Sequence, residues 1–323
     1  MDVAAKEPVN LNKNTKIWLN YVLGAAISAL LLWGIYSQVQ TQLQHIDRNS
    51  LWHTGPWAFF WLGILLLPVN LGLEAFKWKI LAGSAEPVTT TEAVTSYLAG
   101  IAFSLVTPNR IGEYPGRMLY LKRRNTPRLI SVSVLGAFAQ LFAVLFFGIV
   151  GLVYYNIAFP GLWQKLILAG CIIGTALIAL FYIRFEKWAP LLERIKWLRK
   201  YQAYGHMLKR FTRRQQAEIL GISVLRFAVF TAQYLFFLRW MNVNMPPLEG
   251  FCMAAMFFWA MAVIPSVALA ELGIRGQVSI FLFQHFSNNT IGVLTATVVL
   301  WCVNLVLPAI VGSILLVRMR LLR

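Results

Sequence analysis

The feature that most constrains this chain is a series of apolar runs, each long enough to cross a lipid bilayer. A transmembrane helix needs about 20 consecutive, mostly apolar residues to cover the hydrocarbon core. This rule predicts six full spans, at about 17–36, 57–76, 129–153, 164–183, 219–240 and 290–317. Hydrophobic residues make up 59% of the chain and charged residues 13%, which excludes a water-soluble globular enzyme.

Two further apolar regions, 93–121 and 250–287, are interrupted by residues that break helices. The first break falls at 107–109, where a proline follows a threonine, and the second falls at 270–273. The apolar part before the first break would extend only about 22 Å as a helix, short of the ~30 Å core. We therefore expect two broken or re-entrant helical elements.

The distribution of cations predicts the topology. The chain holds 29 Lys and Arg against 12 Asp and Glu, a formal charge of +17. Of these cations, 24 lie in five stretches, at 1–16, 77–92, 108–128, 184–218 and the C-terminal tail. Because cytoplasmic loops carry such an excess, these stretches and both termini are predicted to be cytoplasmic. Cations placed between spans also argue against a nucleic-acid partner.

This topology makes each broken element enter and leave the membrane by one face, with the two elements entering from opposite faces. Inverted pairs of discontinuous helices form the midplane sites of secondary transporters. The predicted fold is therefore all-α: a single transmembrane domain over 1–323, with about six full spans and two broken elements in an inverted-repeat-like arrangement. Residues 1–16 form a cytoplasmic N-terminal segment, and 184–218 a cytoplasmic basic amphipathic loop.

Both broken elements carry arginine and glutamate around a glycine at the break. Charges at bilayer depth are costly unless paired or hydrated, so they are candidates for function. Arginine also binds phosphate through paired hydrogen bonds. The predicted substrate-binding residues are Arg110, Gly112, Glu113, Arg117, Glu271, Gly273 and Arg275. Two other interpretations stay open: an interfacial loop for the first element, and an ion pair between Glu271 and Arg275 that stabilises the second break.

Other polar residues in the spans are assigned structural roles. Glu74, Lys77 and Lys79 are interpreted as an interfacial anchor with Trp78 at the end of the second span. Interhelical hydrogen bonds are expected for Asn70, Gln140, Gln233 and Asn304. Arg226 is expected to reach towards the interface or to contact a lipid phosphate. The cysteines and histidines have no metal-ligand spacing, so no metal and no cofactor is predicted.

Three segments of the chain resemble one known family. They are the sequence from Phe76 to Leu81, the sequence from Ser104 to Leu121, and Leu272-Gly273-Ile274-Arg275. The second resembles the signature Pro-Gly-Arg-x-Gly-Glu-x-x-Arg, and the third resembles Leu-Gly-Val-Arg-Glu. Both belong to the transmembrane, flippase-like domain of lysylphosphatidylglycerol synthases, the multiple peptide resistance factor family. The resemblance covers about residues 15–320, although Gly276 stands where the family has glutamate.

The resemblance implies a lipid flippase or transporter of the bacterial or archaeal inner membrane. Its substrate would be a phospholipid, an aminoacylated phospholipid or a polyprenyl-phosphate lipid. Full-length relatives add an aminoacyl-transfer domain, which this sequence lacks, so no enzyme activity is expected. The expected partners are membrane lipids, with a homodimer or a lipid-modifying enzyme as further options. A membrane-embedded lipid-modifying enzyme and a non-transporting scaffold remain the alternative functions.

Overall fold

The computed structural model describes residues 54–105, 107, 110–121, 126–184, 211–264 and 271–317, together with single positions between 22 and 36. Most of the predicted first span and most of the predicted amphipathic loop lie outside these residues. Within them all regular structure is helical, which confirms the all-α prediction. The helices are α1 (Trp57–Gly83), α2 (Thr90–Leu105), α3 (Glu113–Met118), α4 (Thr126–Ala158), α5 (Leu162–Ile183), α6 (Arg213–Trp240), α7 (Pro247–Val263), α8 (Glu271–Phe283), α9 (Thr290–Trp301) and α10 (Leu307–Val317).

Five helical segments are long and apolar enough to cross a membrane. They comprise α1, most of α4, α5, α6, and the segment from Thr290 to Leu316, in which the π-helical turn Cys302–Val306 joins α9 to α10. Helix α7 is also apolar but shorter. The prediction of a multi-pass membrane protein is therefore confirmed, and the five segments correspond to the predicted spans after the first.

The first broken element has the interrupted form that the sequence predicts. Helix α2 ends at Leu105, and the six-residue helix α3 begins at Glu113 and packs back against α2. In the turn between them, Arg110 adopts a left-handed backbone with φ of 58°. The Gly112 N–H donates to Thr107 Oγ1 at 2.8 Å, and Thr107 Oγ1 donates to the Phe103 carbonyl at 3.0 Å. These bonds fix the turn that leads into α3.

The second broken element differs slightly from its prediction. Helix α7 ends at Val263 and α8 begins at Glu271, so the interruption precedes Glu271 and does not include Gly273. Gly273 lies inside the first turn of α8 with open space around it. A single glycine in a helix costs about 1 kcal/mol relative to alanine, which does not prevent a helix from forming.

The interior holds an apolar core and a polar centre. Helix α1 packs along α6, α4 packs along α7, and α10 packs along α2. The largest apolar cluster includes residues of α6, α7, α8 and α9 around Tyr234, Phe257 and Phe283, all fully buried. Beside it, α1, α2, α3, α4, α6 and the π-helical turn bring their polar side chains together. This second region is the candidate site.

Close backbone contact between α2 and α3 leads to the first prediction. A Cβ atom at Gly100 would lie 2.6 Å from Arg117 Cγ and 2.8 Å from the Glu113 carbonyl oxygen. Because a backbone atom cannot move aside cheaply, Gly100→Ala should destabilise the protein by about 1–3 kcal/mol. Gly170→Ala in α5 is the matched control, since an added Cβ meets no atom there. Thermal unfolding in detergent should show a lower midpoint for the first variant only; equal midpoints would contradict the packing of α3 on α2.

Candidate functional site

The centre of the polar region is the carboxylate of Glu74 on α1, which is 4% exposed. Three cations surround it. Lys77 Nζ lies 2.7 Å from Oε2, Arg117 Nη2 lies 2.9 Å from Oε1, and Arg226 Nη1 lies 3.2 Å from Oε2. These cations come from α1, α3 and α6, so one carboxylate joins three helices that are distant in sequence. We call these four residues the Glu74 cluster.

Arg117 is held by several neighbouring groups besides Glu74. Its guanidinium also forms an ion pair with Glu113, one turn earlier on α3. The rings of Trp78 and Tyr97 lie under the guanidinium, with their centroids 5.2 and 4.9 Å from Cζ. The Arg117 carbonyl accepts a hydrogen bond from Ser96 Oγ, which in turn accepts one from Trp78 Nε1 at 3.0 Å. Arg117 therefore occupies a fixed position, with its side chain 8% exposed.

Arg226 connects the Glu74 cluster to open space. Its Nε donates to Asn70 Oδ1 at 3.0 Å and its Nη1 donates to Gln140 Oε1 at 3.3 Å. A longer contact of 3.4 Å joins its Nη2 to the Tyr97 hydroxyl. Because these groups hold the guanidinium from α1, α2 and α4, its orientation is set before any ligand binds. The same side chain also lines the cavity described next.

The π-helical turn supports this arrangement from the opposite side. Asn304 Oδ1 accepts a hydrogen bond from Asn70 Nδ2 at 2.6 Å, and Asn304 Nδ2 donates to the Leu300 carbonyl at 3.1 Å. Asn70 therefore bridges Asn304 and Arg226. Short π-helical turns are frequent at functional sites because they redirect side chains of an otherwise regular helix.

A partly open cavity of about 540 Å³ adjoins the cluster, and its lining has two parts. The polar part includes three arginines and one carboxylate: Arg110, Arg226, Arg275 and Glu113. The apolar part is made of aromatic and aliphatic side chains, among them Phe227, Phe230, Phe258, Met261, Val263 and Ile264. Cavities of about 300–1,000 Å³ with a few convergent polar groups are typical ligand sites.

The structure brings together some of the residues predicted from the sequence. Arg110 and Glu113 from the first broken element and Arg275 from the second line the same cavity. Arg117 contacts Glu113 and belongs to the Glu74 cluster. Neither glycine lines the cavity, since Gly112 is buried in the turn before α3 and Gly273 is exposed. The side chain of Glu271 lies outside the part of the chain that the structure describes.

The interpretation of Glu74 and Lys77 as an interfacial anchor is wrong. Lys77 is 2% exposed and Trp78 is fully buried, because α1 continues to Gly83 and carries them into the interior. Asn70, Glu74, Lys77 and Leu81 recur at intervals of three and four, which places them on one helix face. From that spacing, the sequence could have been used to predict a helix face on which Asn70, Glu74 and Lys77 are buried together. The predicted interhelical hydrogen bonds are present for all four residues, Asn70, Gln140, Gln233 and Asn304.

Removing the Glu74 carboxylate should destabilise the fold. Glu74→Gln leaves three buried cations beside one another, and breaking a buried pair by removing one partner typically costs about 3–5 kcal/mol. The double variant Glu74→Gln/Lys77→Met lacks one of those cations, so it should recover part of the lost stability. Glu218→Gln is the control, since Glu218 is an exposed carboxylate on α6. Of the three variants, Glu74→Gln should have the lowest midpoint of thermal unfolding in detergent. A midpoint equal to that of the control would contradict the role of Glu74.

No group of three His, Cys, Asp or Glu side chains that could hold a metal ion occurs in the described ranges. The comparison with curated proteins found no match. The family model described as "Lysylphosphatidylglycerol synthase TM region" matches residues 21–312. It therefore covers all the described cavity residues and both broken elements. Because the match spans most of the chain, this protein belongs to the family of lysylphosphatidylglycerol synthase transmembrane regions.

Proposed function

We propose that this protein transports a phosphate-bearing lipid across the cell inner membrane, with the cavity as its binding site. The observation that carries the proposal is the composition of that cavity. A wall with three arginines lies beside a wall of aromatic and aliphatic side chains, all among membrane-type helices. A lipid has the same two-part chemistry, with an anionic headgroup joined to acyl chains. The membership of a lipid-related membrane family supports the same conclusion.

The arginines have different roles in this proposal. Arg110, Arg226 and Arg275 line the cavity and would bind the phosphate through charge-assisted hydrogen bonds. Arg226 is oriented in advance by its contacts with Asn70 and Gln140, which lowers the entropic cost of binding. Arg117 acts as a positioning residue, because Glu74 and Glu113 already occupy its guanidinium.

The two broken elements are the segments whose displacement would accompany lipid transport. Arg110 stands at the interruption of the first element, and Arg275 stands in the first turns after the interruption of the second. Irregular backbone at membrane depth is tolerated where it lines a cavity. A displacement of either element would move one arginine relative to the phosphate and open the cavity towards one leaflet. The cation-rich loops orient both termini towards the cytoplasm.

Lipid translocation in vesicles tests the proposal. Purified protein is reconstituted with headgroup-labelled anionic, aminoacylated and zwitterionic lipids and with a polyprenyl phosphate. Arg275→Gln and Arg110→Gln should each lower the protein-dependent rate about tenfold or more, because a charge-assisted bond to phosphate is worth about 1.5–3 kcal/mol. Arg214→Gln is the matched control, an exposed arginine at the start of α6, and it should transport at the unchanged rate.

If both cavity variants transport lipid at the rate of the control, the cavity is not the binding site. The same vesicles also test the expectation that the chain is not an enzyme, because each lipid should be recovered chemically unchanged. Conversion of a lipid, in vesicles or in detergent, would favour the membrane-embedded enzyme. Absence of movement for every lipid, with folded protein, would leave the scaffold as the better description.

A further inference from the structure

We infer that the protein binds a proton together with its lipid, and that the carboxylate of Glu113 is the proton-binding group. This inference rests on the proposed function and names the ion to which the movement of lipid is coupled. It depends on the position of Glu113 between the cavity and Arg117, and on the second partner that Arg117 has in Glu74.

Two carboxylates meet at a single nitrogen of Arg117. Glu74 Oε1 lies 2.9 Å from Nη2, and Glu113 Oε1 contacts the same Nη2 atom. The Nε atom of this guanidinium is buried and has no hydrogen-bond partner among the described residues, so the two carboxylates are not spread over its donors. Carboxylates that share one site repel each other, and a proton on one of them relieves that repulsion.

Of the two carboxylates, Glu113 is the one placed to exchange a proton. Its side chain is 27% exposed and lines the partly open cavity, whereas the side chain of Glu74 is 6% exposed. Glu74 also lies within 3.2 Å of all three cations of its cluster, which keep it ionised. Protonation of Glu113 leaves Arg117 bound to Glu74, so the packing of α3 on α2 survives the change.

The other charged and titratable side chains around Glu113 and the cavity are poorly suited to carry this proton. They come from α1, α2, the turn before α3, α3 itself, α6 and α8, and they are Glu74, Lys77, Tyr97, Arg110, Tyr114, Arg117, Arg226 and Arg275. Arginine stays protonated and tyrosine stays neutral at physiological pH. Lys77 is 2% exposed and bound to Glu74 at 2.7 Å. Helix α4 contributes the neutral Gln140, and the described cavity lining includes no histidine.

The lipid and the proton favour each other's binding because they meet in one cavity. An ionised Glu113 repels the phosphate, whereas a protonated Glu113 donates a hydrogen bond to it. By linkage, each ligand then raises the affinity for the other by the same factor. The proton is taken from water at one leaflet and returned to water at the other when the lipid leaves. A lipid with one negative charge thus crosses with one proton as a neutral pair, without work against the membrane potential.

The binding test uses phosphatidylglycerol with short acyl chains, because a phosphate diester has no second proton to lose near neutral pH. Binding to the purified protein is followed by tryptophan fluorescence, since Trp301 lines the cavity. The protonated fraction of Glu113 falls as the pH rises, so the Kd should rise, by up to about tenfold per pH unit. A pH indicator in a weakly buffered sample should also register proton uptake when the lipid binds.

Variants assign the proton to a residue. Glu113→Gln keeps the shape of the side chain and cannot ionise, so its Kd should not change with pH and its proton uptake should be absent. The control Glu218→Gln removes an exposed carboxylate on α6 and should keep the wild-type pH dependence. A pH dependence that persists in Glu113→Gln, or that is lost in Glu271→Gln instead, would overturn the assignment to Glu113.

The transport test uses vesicles with a pH gradient of about one unit and a clamped membrane potential. Acyl-labelled phosphatidylglycerol should accumulate in the leaflet on the alkaline side, by up to about tenfold, because each lipid crosses with one proton. An ionophore that collapses the gradient should abolish this accumulation, and so should Glu113→Gln. The control Glu218→Gln should accumulate the lipid as the wild-type protein does.

The outcomes separate this inference from the proposed function. If the wild-type protein binds and moves phosphatidylglycerol without any dependence on pH or on the gradient, the proton coupling is overturned and the proposed function stands. If the lipid neither binds nor moves, both are overturned. Should Glu113→Gln not fold, the wild-type protein still decides, because lipid binding without proton uptake would overturn the inference.

Discussion

The buried carboxylate of Glu74 is the contact on which the polar interior depends. It lies within 3.2 Å of a cation from each of α1, α3 and α6, so it determines how three separate segments approach one another. Buried ion pairs are not by themselves strong sources of stability, because desolvation offsets most of the attraction. Their clearest effect here is geometric. With Glu74 in place, Arg226 faces the cavity in a single orientation and Arg117 holds α3 against α2.

The cost of this arrangement is offset by close packing and by polar contacts around both arginines. Gly100 allows the backbone of α3 to lie against α2, and the rings of Trp78 and Tyr97 enclose the Arg117 guanidinium. Asn70 and Gln140 accept hydrogen bonds from Arg226. A rigid cationic wall of this kind binds an anion without first reorganising, which is the property that a site for a lipid phosphate requires.

Much of the fold follows from the sequence because bilayer thickness sets the length of a spanning helix. The spans from α1 onwards and the two interruptions are visible in the sequence as apolar runs with breaks. Arg110, Glu113 and Arg275 stand out because charged residues are rare within membrane segments. The residues that α1 and α6 contribute to the candidate site could not be predicted in the same way. Glu74 and Lys77 follow an apolar run and have the pattern of an interfacial anchor, and their burial depends on helix α1 continuing to Gly83. Arg226 is isolated in sequence, so its partners on other helices become evident only in three dimensions.

The central claim is that the cavity holds the phosphate of a lipid, and a structure of the protein in a lipid nanodisc with added phosphatidic acid tests it most directly. The account predicts density for a phosphate within hydrogen-bond reach of Arg110, Arg226 and Arg275, with at least one acyl chain against Phe227, Phe230 and Phe258. An empty cavity at saturating lipid, or a lipid whose headgroup contacts none of these arginines, would contradict it.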